Sequence, residues 1–341
     1  MTPDPHRPVA VVTGAARGIG RAIAQQLVGQ GYAVLVTDVD EPAVRRTADL
    51  LGAVAGLGQD VRDEASHAAV AAEAARLGRL AVWVNNAGVG DDGTLAGLPS
   101  ESVRRLVEVN LLGVLWGMRA AMAAFGPQGG DVVNVASASA HGPVPGLAVY
   151  AATKAAVLSA TTSAAVEAPR GVRVHALCPD GVDTQMVAEM DPAGPARAIV
   201  HSSGRLRTVD ETAAAAVALV GSRRVVRTLP AWRAPVIRLG ALLPSRTGPG
   251  YKAAEWLGRR VMSRRVPRSA ARHARTRVRV DLDSFEHVLY GRTCVRSNRL
   301  STPGQAPGGP VRENCRWGSI HLPTWTRSRT APPLPSPGGL T

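Results

Sequence analysis

The chain has 341 residues, 45% of them hydrophobic, which is ample for a buried core and excludes disorder throughout. Its formal charge of +14 invites a nucleic-acid reading, but after residue 250 there are 17 Lys and Arg against 5 Asp and Glu, so the first 250 residues are nearly neutral. The excess charge describes a terminal arm, and no specific nucleic-acid partner is expected of the body.

At the N-terminus, MTPDPHRP lacks the charged start and apolar run of a secretory signal, and no stretch of about 18 residues is continuously apolar. Cys178, Cys294 and Cys315 have no paired spacing, so neither a disulfide framework nor a zinc site is expected. These features predict a cytoplasmic protein without a transmembrane segment. From residue 9 to about 177, short apolar runs alternate with segments of helical period, which predicts an α/β fold: a doubly wound parallel sheet of the Rossmann type. Strands are expected at 9–12, 33–37, 54–57, 81–84, 131–136 and 172–177, with a seventh at 224–229 after an Ala-rich helix beginning near Glu211.

Directly after the first strand comes Thr13-Gly14-Ala15-Ala16-Arg17-Gly18-Ile19-Gly20, opening a helical pattern. Glycines at such a turn let the backbone approach a pyrophosphate, and the helix N-terminus offers unpaired N–H groups. Asp38 ends the second strand, where a carboxylate accepts hydrogen bonds from ribose hydroxyls and repels a 2′-phosphate, favouring NAD over NADP. Arg17 points the other way, since a guanidinium in the loop can hold that phosphate, and NADP stays open.

Further along, Val103, Leu106, Val107, Leu111, Val114, Leu115 and Met118 form an apolar helical stripe with Asn110 inside it. A buried amide must be satisfied, either by neighbouring backbone or through a helix distortion with an ordered water. Ser137 follows the fifth strand and precedes a Gly/Pro loop at 141–146; its hydroxyl suits a developing alkoxide, although Ser139 competes for the role. Tyr150 and Lys154, four apart in a helical segment, share one face, where the ammonium would stabilise a phenolate and bring the tyrosine nearer working pH. Lys154 is one of two lysines in a chain with 38 arginines, which suggests that a compact ammonium is needed there. His141, alone in its loop, reads as a bystander.

These motifs together resemble the short-chain dehydrogenase/reductase family over roughly residues 8–230. TGAARGIG is similar to the family's TGxxxGxG loop, Asp60-Val61 to its adenine-side pair, Asn85-Asn86-Ala87-Gly88 to NNAG, and Tyr150 to Lys154 to YxxxK. The resemblance implies Asn110, Ser137, Tyr150 and Lys154 as catalytic residues, the spacing of 13 before the tyrosine selecting Ser137 and a proton-relay water falling to Asn110. Lys154 would also hydrogen-bond the nicotinamide ribose. Cofactor contacts would come from Gly14, Arg17, Gly18, Ile19, Gly20, Asp38, Asp60, Val61, Asn86, Ala87, Gly88, Pro179 and Gly181, together with Tyr150 and Lys154. The expected reaction is hydride transfer between NAD(P) and a small-molecule secondary alcohol or ketone. Loss of Tyr150 or Lys154 would have marked the rival reading, a non-catalytic dinucleotide-binding sensor or scaffold; neither is lost.

Two departures stand out. Pro179-Asp180-Gly181 replaces the usual Pro-Gly at the nicotinamide pocket, and the seventh strand leads into LPAWRAP instead of Gly-Gly. The second puts a sheet-edge tetramer in doubt and leaves a dimer through the helices starting near Ser100 and Val149 as the other homo-oligomer. Beyond the seventh strand, 231–243 and 251–262 read as basic amphipathic helices packed on their own domain, with peripheral membrane contact left open. The expected division is 1–250 as the NAD(P)-binding catalytic domain, 251–265 as a helical extension, and 266–341 as a disordered, Arg/Pro/Gly-rich basic tail dispensable for folding and chemistry.

Overall fold

Residues 6–242 and 247–265 are described by a computed structural model, and all of them fall within a compact unit, Met1–Thr276. The expectations for 266–341 lie outside the described residues. Seven strands form one parallel sheet: β1 (Pro8–Thr13), β2 (Ala33–Asp38), β3 (Ala55–Gly58), β4 (Arg79–Asn85), β5 (Gly130–Val135), β6 (Val172–Pro179) and β7 (Val226–Leu229). Their spatial order is β3-β2-β1-β4-β5-β6-β7, with the reversal of winding between β1 and β4. This is the doubly wound fold that the alternating pattern predicts, and its ligand crevice belongs at the carboxyl ends of the strands, beside that reversal.

The strands are near-continuous apolar runs because both sheet faces are covered. One face packs on helix α1 (Gly18–Gly29) through Ile23 and Leu27, over Ala10, Val12, Val34 and Val36. The other buries Val9, Val11, Leu35, Trp83 and Val132 against helices α3 (Glu64–Leu77), α5 (Gly113–Ala124) and α6 (Ala148–Glu167). Helix α2 (Glu41–Leu51) is capped by Asp40, α3 by Asp63, and α9 (Val209–Val217) by a Thr208/Glu211 capping box. Helix α1 differs: Arg17 at its N-cap makes no side-chain cap, leaving its first N–H groups to other acceptors.

Helix α4 (Ser100–Val107), a π-turn at Glu108–Leu112 and α5 run on as one rod. By length and composition Ser100–Ala124 could cross a membrane, the one such run among the described residues, but it buries Leu106, Val114, Met118 and Ala121 within the domain. Three short elements follow β6: α7 (Gln185–Ala188), α8 (Pro195–Val200) and a 3₁₀ turn, His201–Ser203. The described chain ends with α10 (Arg233–Ala241) and α11 (Thr247–Arg265). Helix α11 packs on α8, where Gly258 is indispensable: an added Cβ would lie 1.7 Å from the Ala198 carbonyl oxygen.

At the amino end of the sheet, opposite the crevice, Asp131 opens β5 and is buried. It takes a bidentate fork from Arg173 (Nε–Oδ1 2.8 Å, Nη2–Oδ2 2.7 Å), a contact from His175 Nε2 at 2.9 Å and the Gly221 N–H at 3.1 Å. His175 Nδ1 lies 2.7 Å from the Arg224 carbonyl, so the cluster ties β5, β6 and the lead-in to β7 together. Burial alone would raise the Asp131 carboxyl; hydrogen bonds from His175 and Arg173 outweigh it and hold the group below its ordinary value.

Candidate active site

Along the carboxyl ends of the strands runs a single cleft of about 1150 Å³, larger than the few hundred to about 1,000 Å³ typical of a drug-sized ligand. Every residue expected at the site lines it except Gly20 and Asn110, which stand behind the wall.

The loop between β1 and α1 is shaped by what glycine alone permits. Gly14 (φ +64°) lies so close to Ala87 that a Cβ would sit 2.6 Å from the Ala87 Cα, and a Cβ on Gly20 would meet the Gly14 carbonyl oxygen at 2.3 Å. Gly18 (φ +58°) instead faces open space. The loop is bolted to the turn after β4: Thr13 Oγ1 accepts the Asn86 and Ala87 N–H groups at 3.1 Å, and Asn86 Nδ2 donates to the Thr13 and Gly14 carbonyls. Asp38 accepts the Ala16 N–H at 3.0 Å through Oδ2 and the Asp40 N–H at 3.2 Å through Oδ1, which fixes its carboxylate at the cleft margin. Asp60 is forked by Arg62, whose hydrogen bonds hold its carboxyl below the usual range, so any adenine contact is shared with that guanidinium. Val61 packs under Gly113.

Ser137, just past the end of β5, has its hydroxyl near the Tyr150 phenol and receives the Ser139 N–H at 3.2 Å. Lys154 Nζ donates to the Val135 carbonyl at 3.0 Å and sits 5.8 Å from the Tyr150 ring centroid. Burial lowers the Lys154 ammonium to about 8. The expected drop of the tyrosine toward neutrality is not seen in the protein alone. Burial pushes the Tyr150 phenol up, the nearby Ser137 hydroxyl offsets only part of that, and the Lys154 ammonium is engaged with Val135.

Asn110 lies in the π-turn, fully buried. Its Oδ1 accepts the Val89 N–H and its Nδ2 donates to the Val89 carbonyl, both at 2.9 Å. The amide is satisfied by neighbouring backbone, clamping the strand-end loop that carries Gly88, and the helix distortion that the sequence also allows is present as the π-turn itself. Pro179 and Gly181 flank Asp180, which sequence reasoning treated only as a departure. Its carboxylate is buried 2.9 Å from Arg233 Nε on α10, an ion pair not aligned as a hydrogen bond, and burial raises its carboxyl despite the cation. Arg233 reaches on to Ser202 Oγ at 2.7 Å. The sequence signal was an Arg in an otherwise apolar LPAWRAP, matched to an acid at a strand end 53 residues earlier.

Three further features escaped sequence reasoning. A buried amide chain runs from Trp83 Nε1 through Asn85 (2.8 Å) and Asn134 (2.8 Å) to Thr161 Oγ1 (3.0 Å), stiffening the sheet beneath the cleft. Cys178 lies under Lys154, where burial pushes its thiol up to about 12, so it is inert. Beyond Met186, Met190 and Ile199, which lie in a segment the sequence marks as wall-forming, the far wall takes in Val236, Ile237, Tyr251 and Ala254 from α10 and α11. His141 lines no part of the cleft. It bonds Thr228 Oγ1 at 2.8 Å, and burial with the nearby Arg238 charge lowers it to about 4.

With that geometry in view, the comparisons with known proteins are decisive: a family model described as short chain dehydrogenase matches residues 8–194, more than half the chain. The chain belongs to the short-chain dehydrogenase family. This short-chain dehydrogenase is 39% identical over 179 residues to the sorbitol dehydrogenase of Cereibacter sphaeroides, an alignment covering 51% of this chain and 70% of the relative. It is 36% identical over 203 residues to the 3-beta-hydroxysteroid dehydrogenase of Comamonas testosteroni, covering 58% and 80%. Among solved structures, a short-chain dehydrogenase/reductase from Burkholderia phymatum in complex with NAD superimposes with a TM-score of 0.63 at 28% identity, over 71% of this chain and 95% of that one. The family and its relatives are dehydrogenases acting on CH–OH groups, and the seven-stranded parallel sheet is the family's fold.

Proposed function

We propose that the protein oxidises a predominantly apolar secondary alcohol, or reduces the matching ketone, with NAD(P), NAD being preferred. The observation that carries this reading is the convergence of Ser137, Tyr150 and Lys154 on the floor of a cleft whose other end is a glycine cradle at an uncapped helix N-terminus. A dinucleotide fits this end: Gly18 leaves open space, the first N–H groups of α1 lack a side-chain acceptor, and Asp38 stands at the margin. When bound in its oxidised form, the nicotinamide ring supplies the hydride acceptor and a positive charge within the cleft.

Ser137 and Tyr150 hold the substrate oxygen between them. Tyr150 takes the hydroxyl proton as the carbinol hydride departs with its electron pair, and in the reverse direction returns that proton to the carbonyl oxygen. Lys154, fixed by Val135, donates toward the ribose hydroxyls and keeps a cation near the phenol. The Asn110 amide holds the Val89 backbone in place, and any relay water there rests on the backbone carbonyls that a π-turn loosens from the helical ladder. Met186, Met190, Ile199, Val236 and Ile237 make an apolar wall that supports a substrate of apolar body. The test is a panel of secondary alcohols and ketones supplied with each cofactor in both redox states, read by nicotinamide absorbance; no turnover across the panel counts against the reading.

Cofactor choice gives a separate expectation. Asp38→Ala removes the carboxylate facing a ribose 2′-substituent, so the ratio of Kd values should move toward NADP by on the order of tenfold, about 1.4 kcal/mol. Titrations of both dinucleotides into both proteins check it, and a wild-type preference for NADP would transfer the ribose-side role to Arg17.

A further inference from the structure

We infer that α10 and α11 form a docking surface for an anionic lipid bilayer, seated at the rim of the cleft. Ten large hydrophobic side chains are strongly exposed among the described residues, and six of them fall on these two helices or the residues flanking α10: Trp232, Val236, Leu239, Leu242, Trp256 and Leu257. The other four are scattered singly, which is ordinary for a protein surface. On α10, Trp232, Val236 and Leu239 recur at i, i+4 and i+7, so they form one outward face. The opposite face carries the buried Arg233 and the half-buried Ile237, which closes on Gly142.

The polar part of the surface is one-signed. Among the described residues of 231–265 the exposed cations are Arg238, Lys252, Arg259 and Arg260, against a single acid, Glu255, which is tied to Arg259. Lys252, Trp256 and Arg260 repeat every four residues along an exposed face of α11, with the Arg260 guanidinium 5.3 Å over the Trp256 ring. An aromatic ring between cations on α11, and an exposed aliphatic face on α10, are the elements of interfacial helices, whose apolar sides enter the acyl boundary while their cations meet anionic headgroups.

Charge decides between this occupant and the two others at hand. A second copy meeting the patch about a two-fold axis would bring the same cations against themselves. The segment 266–341 has 12 Arg against four Asp and Glu and is repelled in the same way. Because Val236 and Ala254 line the cleft from these same helices, a bilayer on the patch also borders the entrance.

The test uses the full chain and vesicle co-sedimentation, a readout independent of turnover, so its failure is distinct from failure of the proposed reaction. Vesicles are phosphatidylcholine alone, or phosphatidylcholine with 30 mol% phosphatidylglycerol, at about 0.1 M salt. The triple substitution Leu239→Ser, Leu242→Ser, Trp256→Ser removes exposed apolar side chains that do not line the cleft and leaves every cation in place. We expect the wild type to bind the anionic vesicles at least tenfold more tightly than neutral ones. The triple variant should lose about tenfold or more of that partitioning with its thermal midpoint unchanged. Three results overturn the proposal: no wild-type preference for anionic vesicles; equal binding by the variant, which would mean that the basic segment after 265 acts alone; or a wild-type dimer in size-exclusion chromatography that the substitutions dissociate, which would mean that a second copy covers the patch.

Discussion

Tyr150→Phe is expected to lower kcat by about 10³-fold, within the 10²- to 10⁴-fold range of a positioned general acid/base, while the Kd for NAD changes by no more than a few-fold. The phenol OH is the one titratable hydroxyl on the cleft floor that lies near both Ser137 and the Lys154 ammonium, whose nitrogen is 5.8 Å from the Tyr150 ring centroid. Removing it leaves the ring, the Lys154 to Val135 hydrogen bond and the whole glycine cradle untouched. Chemistry and cofactor binding should therefore separate cleanly, in single-turnover rates on one side and fluorescence titration of the dinucleotide on the other. A variant retaining near-normal kcat on an active substrate would show that another group carries the proton.

The second large effect lies at the other end of the sheet. Asp131→Ala removes a carboxylate that satisfies Arg173, His175 and the Gly221 N–H at once. Arg173 is partly exposed and can turn to water, but the His175 side chain is 2% exposed and cannot. We expect a loss of about 3 kcal/mol, since breaking a buried charged contact strands its partner, and a fall in Tm on the order of 10 °C. The pH dependence has a defined sign. Because the folded-state carboxyl lies below its unfolded value of about 3.9, its stabilisation is complete above that pH and is lost as acid carries it through the lower folded value. Urea titrations across that acid range should show the slope in the wild type and a shallower one in the variant. With the cluster far from the chemistry, kcat/KM per folded molecule should not change.

How far the sequence could be read follows from the kind of information each feature needs. The six strands up to 177 and the seventh near 226 were legible within about two residues, because a strand covered on both faces must be an apolar run and the helices between them carry a different period. The glycine loop was legible because a left-handed turn at a strand end demands Gly. Asn110 showed as a polar residue in an apolar stripe, but its partner did not: the choice between backbone and water depends on where the Val89 loop folds, 21 residues away. Pairings of Asp131 with Arg173 and His175, or of Asn85 with Asn134, join residues 42 to 49 apart through strand adjacency, and no local period encodes that. The direction of the Tyr150 shift was missed for a related reason. A four-residue spacing shows that an ammonium is near, whereas the burial that outweighs it is a property of the assembled cleft.

The buried pair of Asp180 and Arg233 bears on how this core can be recombined with others. Measured by its sheet, the module ends with β7, and a fusion joint placed at Leu229 would look safe on topology. Such a joint strips the Asp180 carboxylate, whose side chain is 9% exposed beside Arg233 in the intact fold, of its nearest cation. A graft of a foreign C-terminus after β7 must therefore bring its own cation to that position or replace Asp180 with a neutral residue. The smallest exchangeable cassette is set by an electrostatic debt that strand count does not reveal, and it includes α10.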